Sequence, residues 1–143
     1  MGYENISIRM VKQTDMVDVV QLLQSISNFN PSKNDFNQIW HNLLQQNNVH
    51  SLIAIIGKKI VGYGSIIIET KIRGGKMGHI EDIVAHPNHR KQGIGKLIVN
   101  ALFEVAKAND CYKVALQCKE HKIEFYEKCN YEISGVAMQR FIN

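Results

Sequence analysis

The sequence predicts a mixed α/β domain in which helices flank one central β-sheet, in the order β-α-α-β-β-β-α-β-α-β. Three observations support this prediction. Some stretches place apolar residues at the helical period of 3.6, others are short apolar runs of strand length, and the two kinds are interleaved along the chain. The length of 143 residues corresponds to a single domain, residues 1–143.

The N-terminal third is predicted to form one strand and two helices. Ile6 to Val11 alternates apolar and polar residues, as a half-buried strand does. Thr14 or Asp15 can cap the first helix, in which apolar residues from Met16 to Ile26 share one face. A second helix starts after Pro31 and carries its apolar residues at the same spacing.

Three strands are predicted in the middle of the chain. Ser51 to Ile56 and Ile60 to Glu69 form a hairpin around the turn Gly57-Lys58-Lys59. A basic loop separates the hairpin from the strand Gly78 to Ala85. That strand ends at His86-Pro87, because the residue before a proline is restricted in conformation.

The C-terminal third continues the same pattern. Ile94 to Ala108 has the clearest helical periodicity of the chain. Tyr112 to Cys118 is then predicted as a strand and Ile123 to Cys129 as a short helix. Tyr131 to Ile142 is predicted as the last strand of the sheet.

Composition limits the classes of function. No apolar run approaches the roughly 20 residues of a membrane span, and Met1 to Asn5 lacks the features of a signal peptide, so we expect a cytoplasmic protein. Three cysteines without paired spacing predict neither a disulfide framework nor a metal site. The net charge of +4 is spread along the chain, which suits a small phosphorylated ligand and not a nucleic acid or a membrane.

The segment that carries chemistry is Arg90-Lys91-Gln92-Gly93-Ile94-Gly95, between a predicted strand and a predicted helix. Glycines and unpaired amides at a helix start favour a phosphate, and Arg90 and Lys91 add positive charge. Gly95-Lys96-Leu97 does not complete a P-loop, and a dinucleotide fingerprint needs a third glycine. The alternatives are therefore another diphosphate ligand or an ordinary surface turn before a capped helix.

The R-x-x-G-x-G pattern resembles the pyrophosphate-binding motif of the GNAT acetyltransferase superfamily. The segment from Phe125 to Tyr131 resembles the F-Y-x-x-x-G-F segment that closes the acetyl-CoA site in that superfamily. The resemblance implies acetyl-CoA as co-substrate and Tyr126 as the proton donor to the departing CoA thiolate. The alternative for Tyr126 is simple core packing, which is the interpretation we favour for Phe125.

Three further runs resemble one family, glucosamine-6-phosphate N-acetyltransferase: Gly78 to Val84, Cys111 to Leu116 and Met138 to Phe141. The resemblance implies direct attack of the sugar amine on the thioester in a ternary complex. The product would be N-acetylglucosamine 6-phosphate, an intermediate of UDP-GlcNAc biosynthesis. It also implies a homodimer that exchanges its last strand, so that Arg140 serves the neighbouring site.

The resemblance assigns residues to three roles. Glu81, Asp82 and Tyr126 are expected to be catalytic. The residues expected to hold acetyl-CoA lie on one strand end, one turn and one helix: Asp82, Ile83, Val84, Arg90, Lys91, Gln92, Gly93, Ile94, Gly95, Lys96 and Tyr126. Those expected to hold the acceptor sugar and its phosphate are Ser27, Lys71, Glu81, Asp82, Lys113, Gln117 and Arg140, with Arg73 or Lys76 assisting.

The chain departs from the family pattern at Gln117, where family members usually carry Asp or Glu. An amide orients an amine but cannot take its proton. Lys122 likewise replaces an Asn, and Asn130 replaces a Gly. Two other functions therefore remain open: a GNAT enzyme for another small amine or a protein lysine, and a non-catalytic acyl-CoA-binding module. Lys113 and Arg140 argue against a cationic acceptor.

Overall fold

The computed structural model describes residues 5–90 and 92–143. Its helices and strands are, in chain order, β1 Ile6–Met10, α1 Met16–Leu23, α2 Phe36–Leu44, β2 Val49–Ile56, β3 Lys59–Thr70, β4 Lys76–Ala85, α3 Ile94–Ala108, β5 Cys111–Leu116 and α4 Ile123–Glu127. Turns of 3-10 helix lie at Gln13–Asp15, Lys33–Asp35, Pro87–His89 and Glu120–Lys122. No helix in the described part of the chain is both long enough and apolar enough to cross a membrane.

The five strands form one sheet in the order β1-β2-β3-β4-β5. The pairs β1–β2, β2–β3 and β3–β4 are antiparallel, and the pair β4–β5 is parallel. Parallel neighbours need a long crossover, which α3 supplies. The mixed α/β class and the first nine predicted elements are confirmed, with ends that move by a few residues.

The main core lies between α3 and the sheet. Ile94, Ile98 and Leu102 are at most 1% exposed and pack against the apolar residues of β2, β3 and β4. The helix approaches β3 closely because that strand carries glycine where the two meet. A Cβ on Gly62 or Gly64 would lie 2.6–2.7 Å from side-chain carbons of Ile98, so a larger residue at either position would push α3 away.

The opposite face of the sheet is covered by α1. Gly62 and Gly64 face α3, so Tyr63 and Ser65 between and beyond them face the other way. Met16, Val19 and Leu22 of α1 are buried there. The helix ends at Leu23, which leaves Ile26 half exposed and outside the predicted apolar stripe.

A charged pair fixes the start of α1. The Asp15 carboxylate accepts from the Arg9 guanidinium at 2.7 and 2.9 Å and from the Lys12 amide at 2.7 Å. These hydrogen bonds outweigh burial and lower the pKa of Asp15. The Asp15 side chain therefore binds Arg9 and Lys12, and it does not cap the amides of α1 as predicted.

The predicted last strand, Tyr131 to Ile142, is wrong for the single chain. Residues 131–143 have no strand structure, and the large apolar side chains after Tyr131 are exposed, among them Val136 at 91% and Met138 at 94%. A strand forms only where its backbone groups find a partner. This segment, which we call the C-terminal arm, pairs with no strand edge among residues 5–90 and 92–143.

Candidate active site

A β-bulge interrupts β4 where the catalytic carboxylates were predicted. Ser65 of β3 pairs with Glu81 and Tyr63 pairs with Val84, so one residue of β3 lies opposite Asp82 and Ile83. Asp82 takes up the extra length with a left-handed backbone (φ 57°), a conformation that Asp tolerates better than most residues. The bulge turns the backbone of Asp82 out of the regular ladder and leaves both carboxylates exposed.

The same region of β4 has one free edge. Pairing between β4 and β5 runs from Lys76 to Ile80 and ends at the Ile80–Leu116 pair. Residues 81–85 remain paired with β3 but have no partner on the β5 side. Backbone donors and acceptors on that side need partners, and an extended amide-containing ligand between the two strands would provide them.

The diphosphate motif forms the turn before α3. Gly93 is left-handed (φ 78°), with open space where a Cβ would be. The first intrahelical bond runs from the Leu97 amide to the Gly93 carbonyl at 3.0 Å, so the amides before Leu97 lie at the unpaired start of a 15-residue helix. This terminus carries the positive end of the helix dipole. Arg90 and Lys96 beside it are exposed, whereas Lys91 lies outside the described residues.

Gly95, the second glycine of the motif, is required for packing and not for its backbone conformation. A Cβ on Gly95 would lie 3.2 Å from Cζ of Phe125. Gly95 therefore lets α4 approach the start of α3, which is consistent with the packing role predicted for Phe125. That contact places Tyr126, the next residue, close to the motif.

Tyr126 is half-buried on α4 and packs edge-on against two aromatic rings. Its ring centroid lies 4.9 Å from that of Phe125 and 6.1 Å from that of Tyr131. Burial, with smaller contributions from the neighbouring thiols of Cys118 and Cys129, raises the pKa of Tyr126 to about 12. The phenol is therefore protonated at neutral pH and can donate a hydrogen bond.

Several residues predicted to bind the acceptor share the sheet face that is turned away from α3. Gly78 and Val114 meet on the α3 side, so Glu81 of β4 and Lys113 of β5 point to the other side. Gln117 follows directly after β5, where β4 and β5 have separated. Glu81, Asp82 and Gln117 thus all follow directly after the last pair between β4 and β5, Ile80 with Leu116.

Other predicted acceptor residues lie farther away. Lys71 is six residues beyond Ser65 along the β3 hairpin, roughly 20 Å by strand rise, and its Nζ is 2.8 Å from Oε1 of Glu69. Ser27 lies in the loop between α1 and α2, where its hydroxyl accepts from the Phe29 amide at 3.1 Å. Arg140 lies in the exposed C-terminal arm.

Sequence reasoning missed a group of hydroxyls beside the bulge. The Tyr63 hydroxyl donates to Oγ of Ser51 at 3.2 Å, and Oγ of Ser65 donates to the Glu81 carbonyl at 3.3 Å. Burial, with a smaller contribution from the Asp82 charge, raises the pKa of Tyr63. The sequence signal was available, since these polar residues interrupt otherwise apolar strands.

A cavity of about 990 Å³ is elsewhere. It lies between α1, the turn at Lys58 and Lys59, and the segment from His86 to Asn88. It is lined by neither the carboxylates at the bulge nor Tyr126. We place the chemistry at the open edge of β4, because that edge combines backbone groups without a β5 partner with the exposed carboxylates of Glu81 and Asp82. Within the described residues, no group of three or more His, Cys, Asp or Glu side chains is arranged to hold a metal ion.

The fold and this site define a class of protein. The chain matches the family described as "Acetyltransferase (GNAT) family" over residues 16–131. The chain belongs to this family, and the resemblance drawn from its motifs is confirmed. Acetyltransferases of this fold use acetyl-CoA.

Its relatives point to one activity within the family. The chain is 35% identical to glucosamine 6-phosphate N-acetyltransferase 1 of Dictyostelium discoideum, over 85% of this chain and 81% of the relative. It is 31% identical to the glucosamine 6-phosphate N-acetyltransferase of Candida albicans, over 92% and 93%. The crystal structure of the enzyme from Arabidopsis thaliana superposes with a TM-score of 0.91 at 27% identity, covering 98% of this chain and all of that one.

Proposed function

We propose that the protein transfers the acetyl group of acetyl-CoA to the amine of D-glucosamine 6-phosphate, which gives N-acetylglucosamine 6-phosphate. The observation that carries the proposal is the open edge of β4 with its bulge at Asp82. The family membership and the two relatives of matching length agree with it. The reaction is an acyl transfer, and the product enters UDP-GlcNAc biosynthesis.

Acetyl-CoA binding would use two sets of backbone groups. The amides from Gln92 to Lys96 and the dipole of α3 hold the diphosphate, and the Arg90 and Lys91 side chains add charge. The free edge of Asp82, Ile83 and Val84 pairs with the pantetheine arm, because amides of the arm replace the missing β5 partner. When bound, acetyl-CoA supplies a thioester carbonyl that an amine can attack.

The acceptor amine attacks from the sheet face that carries Glu81 and Asp82. Backbone amides at the bulge donate to the carbonyl oxygen as it becomes negative, as in an oxyanion hole. Glu81 or Asp82 orients the amine and accepts its proton directly or through water. Gln117 assists by orientation only, because an amide cannot act as a base.

Tyr126 acts on the departing sulfur. Its phenol carries a proton at neutral pH, as any tyrosine does, and burial extends this to higher pH by raising its pKa to about 12. The same dry surroundings raise the basicity of a thiolate placed beside the phenol, which brings donor and acceptor closer in proton affinity. Tyr126 therefore stabilises the thiolate by a hydrogen bond and then protonates it.

The phosphate of the acceptor would be bound by Lys113 and by Arg140 of a second copy of the chain. The C-terminal arm exposes large apolar residues, including Val136 and Met138, and β5 is an edge strand. An arm that pairs with the partner's sheet would bury these apolar residues and protect the exposed edge of β5. We therefore propose a homodimer, to be tested by sedimentation with and without residues 131–143.

The activity is tested by a thiol-release assay with acetyl-CoA and a panel of amines. We expect rapid release with glucosamine 6-phosphate and much slower release with unphosphorylated glucosamine. Faster release with a polyamine, an aminoglycoside or a lysine peptide would reassign the acceptor. CoA binding without release for any amine would indicate the non-catalytic module. Cell fractionation would test the cytoplasmic location that we propose for a phosphosugar enzyme.

Arg140→Ala tests the phosphate contact. We expect the KM for glucosamine 6-phosphate to rise about tenfold or more, because a charge-assisted bond to phosphate is lost, while the low activity with glucosamine is unchanged. Lys107→Ala, which removes one positive charge near the end of α3, is the control. Equal losses with the phosphorylated and unphosphorylated sugars would exclude the contact.

A further inference from the structure

The cavity of about 990 Å³ beside α1 is a part of the molecule that the mechanism above does not use. Its volume lies at the upper end of the range of about 300–1,000 Å³ that small-molecule sites have. Its three walls are α1, the turn between β2 and β3, and the segment that follows β4. Most of the residues that line it are polar or charged, so we expect a hydrophilic ligand.

The turn wall of the cavity carries two cations. Lys58 and Lys59 line the cavity and are both exposed. Among residues 5–90 and 92–143, neither ammonium group forms a salt bridge with a carboxylate. The carboxylate of Asp18 belongs to the α1 wall and does not pair directly with them. Two adjacent lysines without a partner favour an anionic group such as a phosphate.

The segment after β4 adds a hydrogen-bond donor to this anionic subsite. Nδ1 of His86 accepts from the Asn88 amide at 3.1 Å, so the neutral imidazole carries its hydrogen on Nε2. In the described part of the chain this Nε2 has no partner, and it is not buried. Burial, with smaller contributions from the charges of Lys59, His89 and Arg90, lowers the pKa of His86. An anion beside the ring would offset the field of these cations.

The α1 wall has groups that suit hydroxyls. Asp18 and Gln21 are three residues apart on one helix face, and both are exposed. A carboxylate accepts from hydroxyl groups, and an amide both donates and accepts. The Ser25 hydroxyl on this wall already donates to the Leu22 carbonyl at 3.2 Å, and the Gln24 amide group donates to two carbonyls. Asp18 and Gln21 are therefore the groups of this wall that remain for a ligand.

We propose that this cavity binds a phosphorylated sugar. The two lysines of the turn wall and the His86 ring bind the phosphate, and Asp18 and Gln21 of α1 bind the hydroxyl groups. The site is separate from the open edge of β4, because none of the proposed catalytic residues lines it. It does not depend on the acceptor proposed above. The wall after β4 leads directly into the diphosphate turn, so the bound sugar phosphate is expected to change the affinity for CoA.

The probe that tests this site is glucose 6-phosphate, which has no amine to be acetylated. NMR would follow the ring resonance of His86, assigned with His86→Gln, during titrations with glucose 6-phosphate, inorganic phosphate and glucose. We expect glucose 6-phosphate to shift the resonance and to raise the pKa of His86, because an anion favours the charged ring. Inorganic phosphate should act more weakly and glucose should not act. An equal response to glucose would overturn the phosphate contact.

The lysines are tested together, by the double variant Lys58→Ala with Lys59→Ala. We expect glucose 6-phosphate to bind about tenfold or more weakly, because charge-assisted bonds to phosphate are lost. The matched control is Lys107→Ala with Lys128→Ala, which removes the same charge from exposed positions that do not line the cavity. Its affinity should stay within about twofold. Equal weakening in both double variants would show an effect of net charge only and would overturn the inference.

Two further measurements separate this site from its alternatives. Asp18→Asn should weaken binding of glucose 6-phosphate but not of inorganic phosphate, since it removes only an acceptor for hydroxyls. With saturating CoA, glucose 6-phosphate should still shift the His86 resonance. Loss of that response would show that these cations serve the phosphates of CoA, which overturns a separate site and leaves the proposed function standing. An unmoved His86 resonance in a protein that is active in the thiol-release assay would likewise overturn this inference alone.

Discussion

The two halves of β4 belong to one strand but differ in their neighbours. Residues 76–80 pair with β3 on one side and with β5 on the other. Residues 81–85 pair with β3 alone, after the bulge at Asp82. The first half therefore has the pairing of an internal strand. The second half has the pairing of an edge strand, although β4 lies between β3 and β5 in the sheet.

In the proposed function, this difference lets a stable sheet make room for an extended ligand. The closed half and α3 provide the packing, with Ile80 buried against the core. The open half leaves backbone groups of residues 81–85 without a β5 partner. An open edge is normally a liability for aggregation. Here the edge is short, and the pantetheine arm is proposed to pair with it.

Tyr126→Phe is expected to have the largest effect, since it removes the only proposed proton donor beside the open half. We expect turnover to fall on the order of 10²-fold or more with little change in CoA affinity. Tyr112→Phe removes a phenol beside the closed half and should leave turnover unchanged. Similar turnover in both variants and in the unsubstituted protein would exclude Tyr126 from the mechanism.

The dependence of turnover on pH tests the same role of Tyr126. Only the protonated phenol donates, and the pKa of Tyr126 is raised to about 12. Ionisation of Tyr126 should therefore cause no loss of turnover between neutral pH and about pH 10. A fall in kcat in that range that disappears in Tyr126→Phe would show that the phenol ionises much earlier than its burial indicates.

Hydrogen exchange distinguishes the two halves directly. In the free protein, a peptide covering residues 81–85 should exchange faster than one covering residues 76–80, because its backbone is paired on one side only. At CoA concentrations near 100 times Kd, exchange of residues 81–85 should slow by up to about 100-fold. Protection that appears only in residues 76–80 would place the ligand elsewhere.

Asp82→Gly separates the role of the bulge backbone from that of the carboxylate. Glycine adopts the left-handed backbone readily, so the free energy of unfolding should change by no more than about 1 kcal/mol. Turnover should fall about tenfold or more, because a proposed catalytic carboxylate is lost. Asp110→Gly is the control, since Asp110 is also left-handed (φ 60°) but lies between α3 and β5. Unchanged turnover in Asp82→Gly would remove the carboxylate from the mechanism.

Ser65→Ala is expected to have the smallest effect. It removes the bond from Oγ to the Glu81 carbonyl beside the bulge, at a cost of about 0.5–1.5 kcal/mol. We expect turnover to fall a few-fold because Glu81 is less well fixed. Ser25→Ala removes a bond of similar length to the Leu22 carbonyl at the end of α1 and should affect stability alone. Equal turnover in the two variants would show that the hydroxyl does not help to position Glu81.

Sequence patterns predicted α3 to the residue, from Ile94 to Ala108, because a strong apolar period coincides there with a glycine start. They also predicted the strand that carries Glu81 and Asp82. They did not predict the bulge, because its trace in the sequence, the three-residue step from Ile80 to Ile83, is equally consistent with a solvated strand end. Two residues of β4 lie opposite Gly64 because of the register between β3 and β4. That register depends on both strands and cannot be read from the sequence of one of them.

The C-terminal arm shows the opposite limit. Its alternating apolar residues predict a strand with a buried face, but they do not indicate which surface buries that face. The strand predicted from Tyr131 to Ile142 is absent from the single chain.

Lys71 is a second residue whose position the sequence did not predict. Its charge suggested a phosphate contact, but its position depends on the length of the β3 hairpin, and its ammonium group is held by Glu69. Its role in acceptor binding stays a prediction.

The bulge also changes which side chains face which layer. Ile80 faces α3, and so does Ile83, three positions later and not two or four. Deletion of residue 82 would restore the regular alternation with Ile83 still facing α3, and we expect the resulting strand to pair farther along β5. The single extra residue at position 82 is thus what separates a fully paired strand from one with an open end.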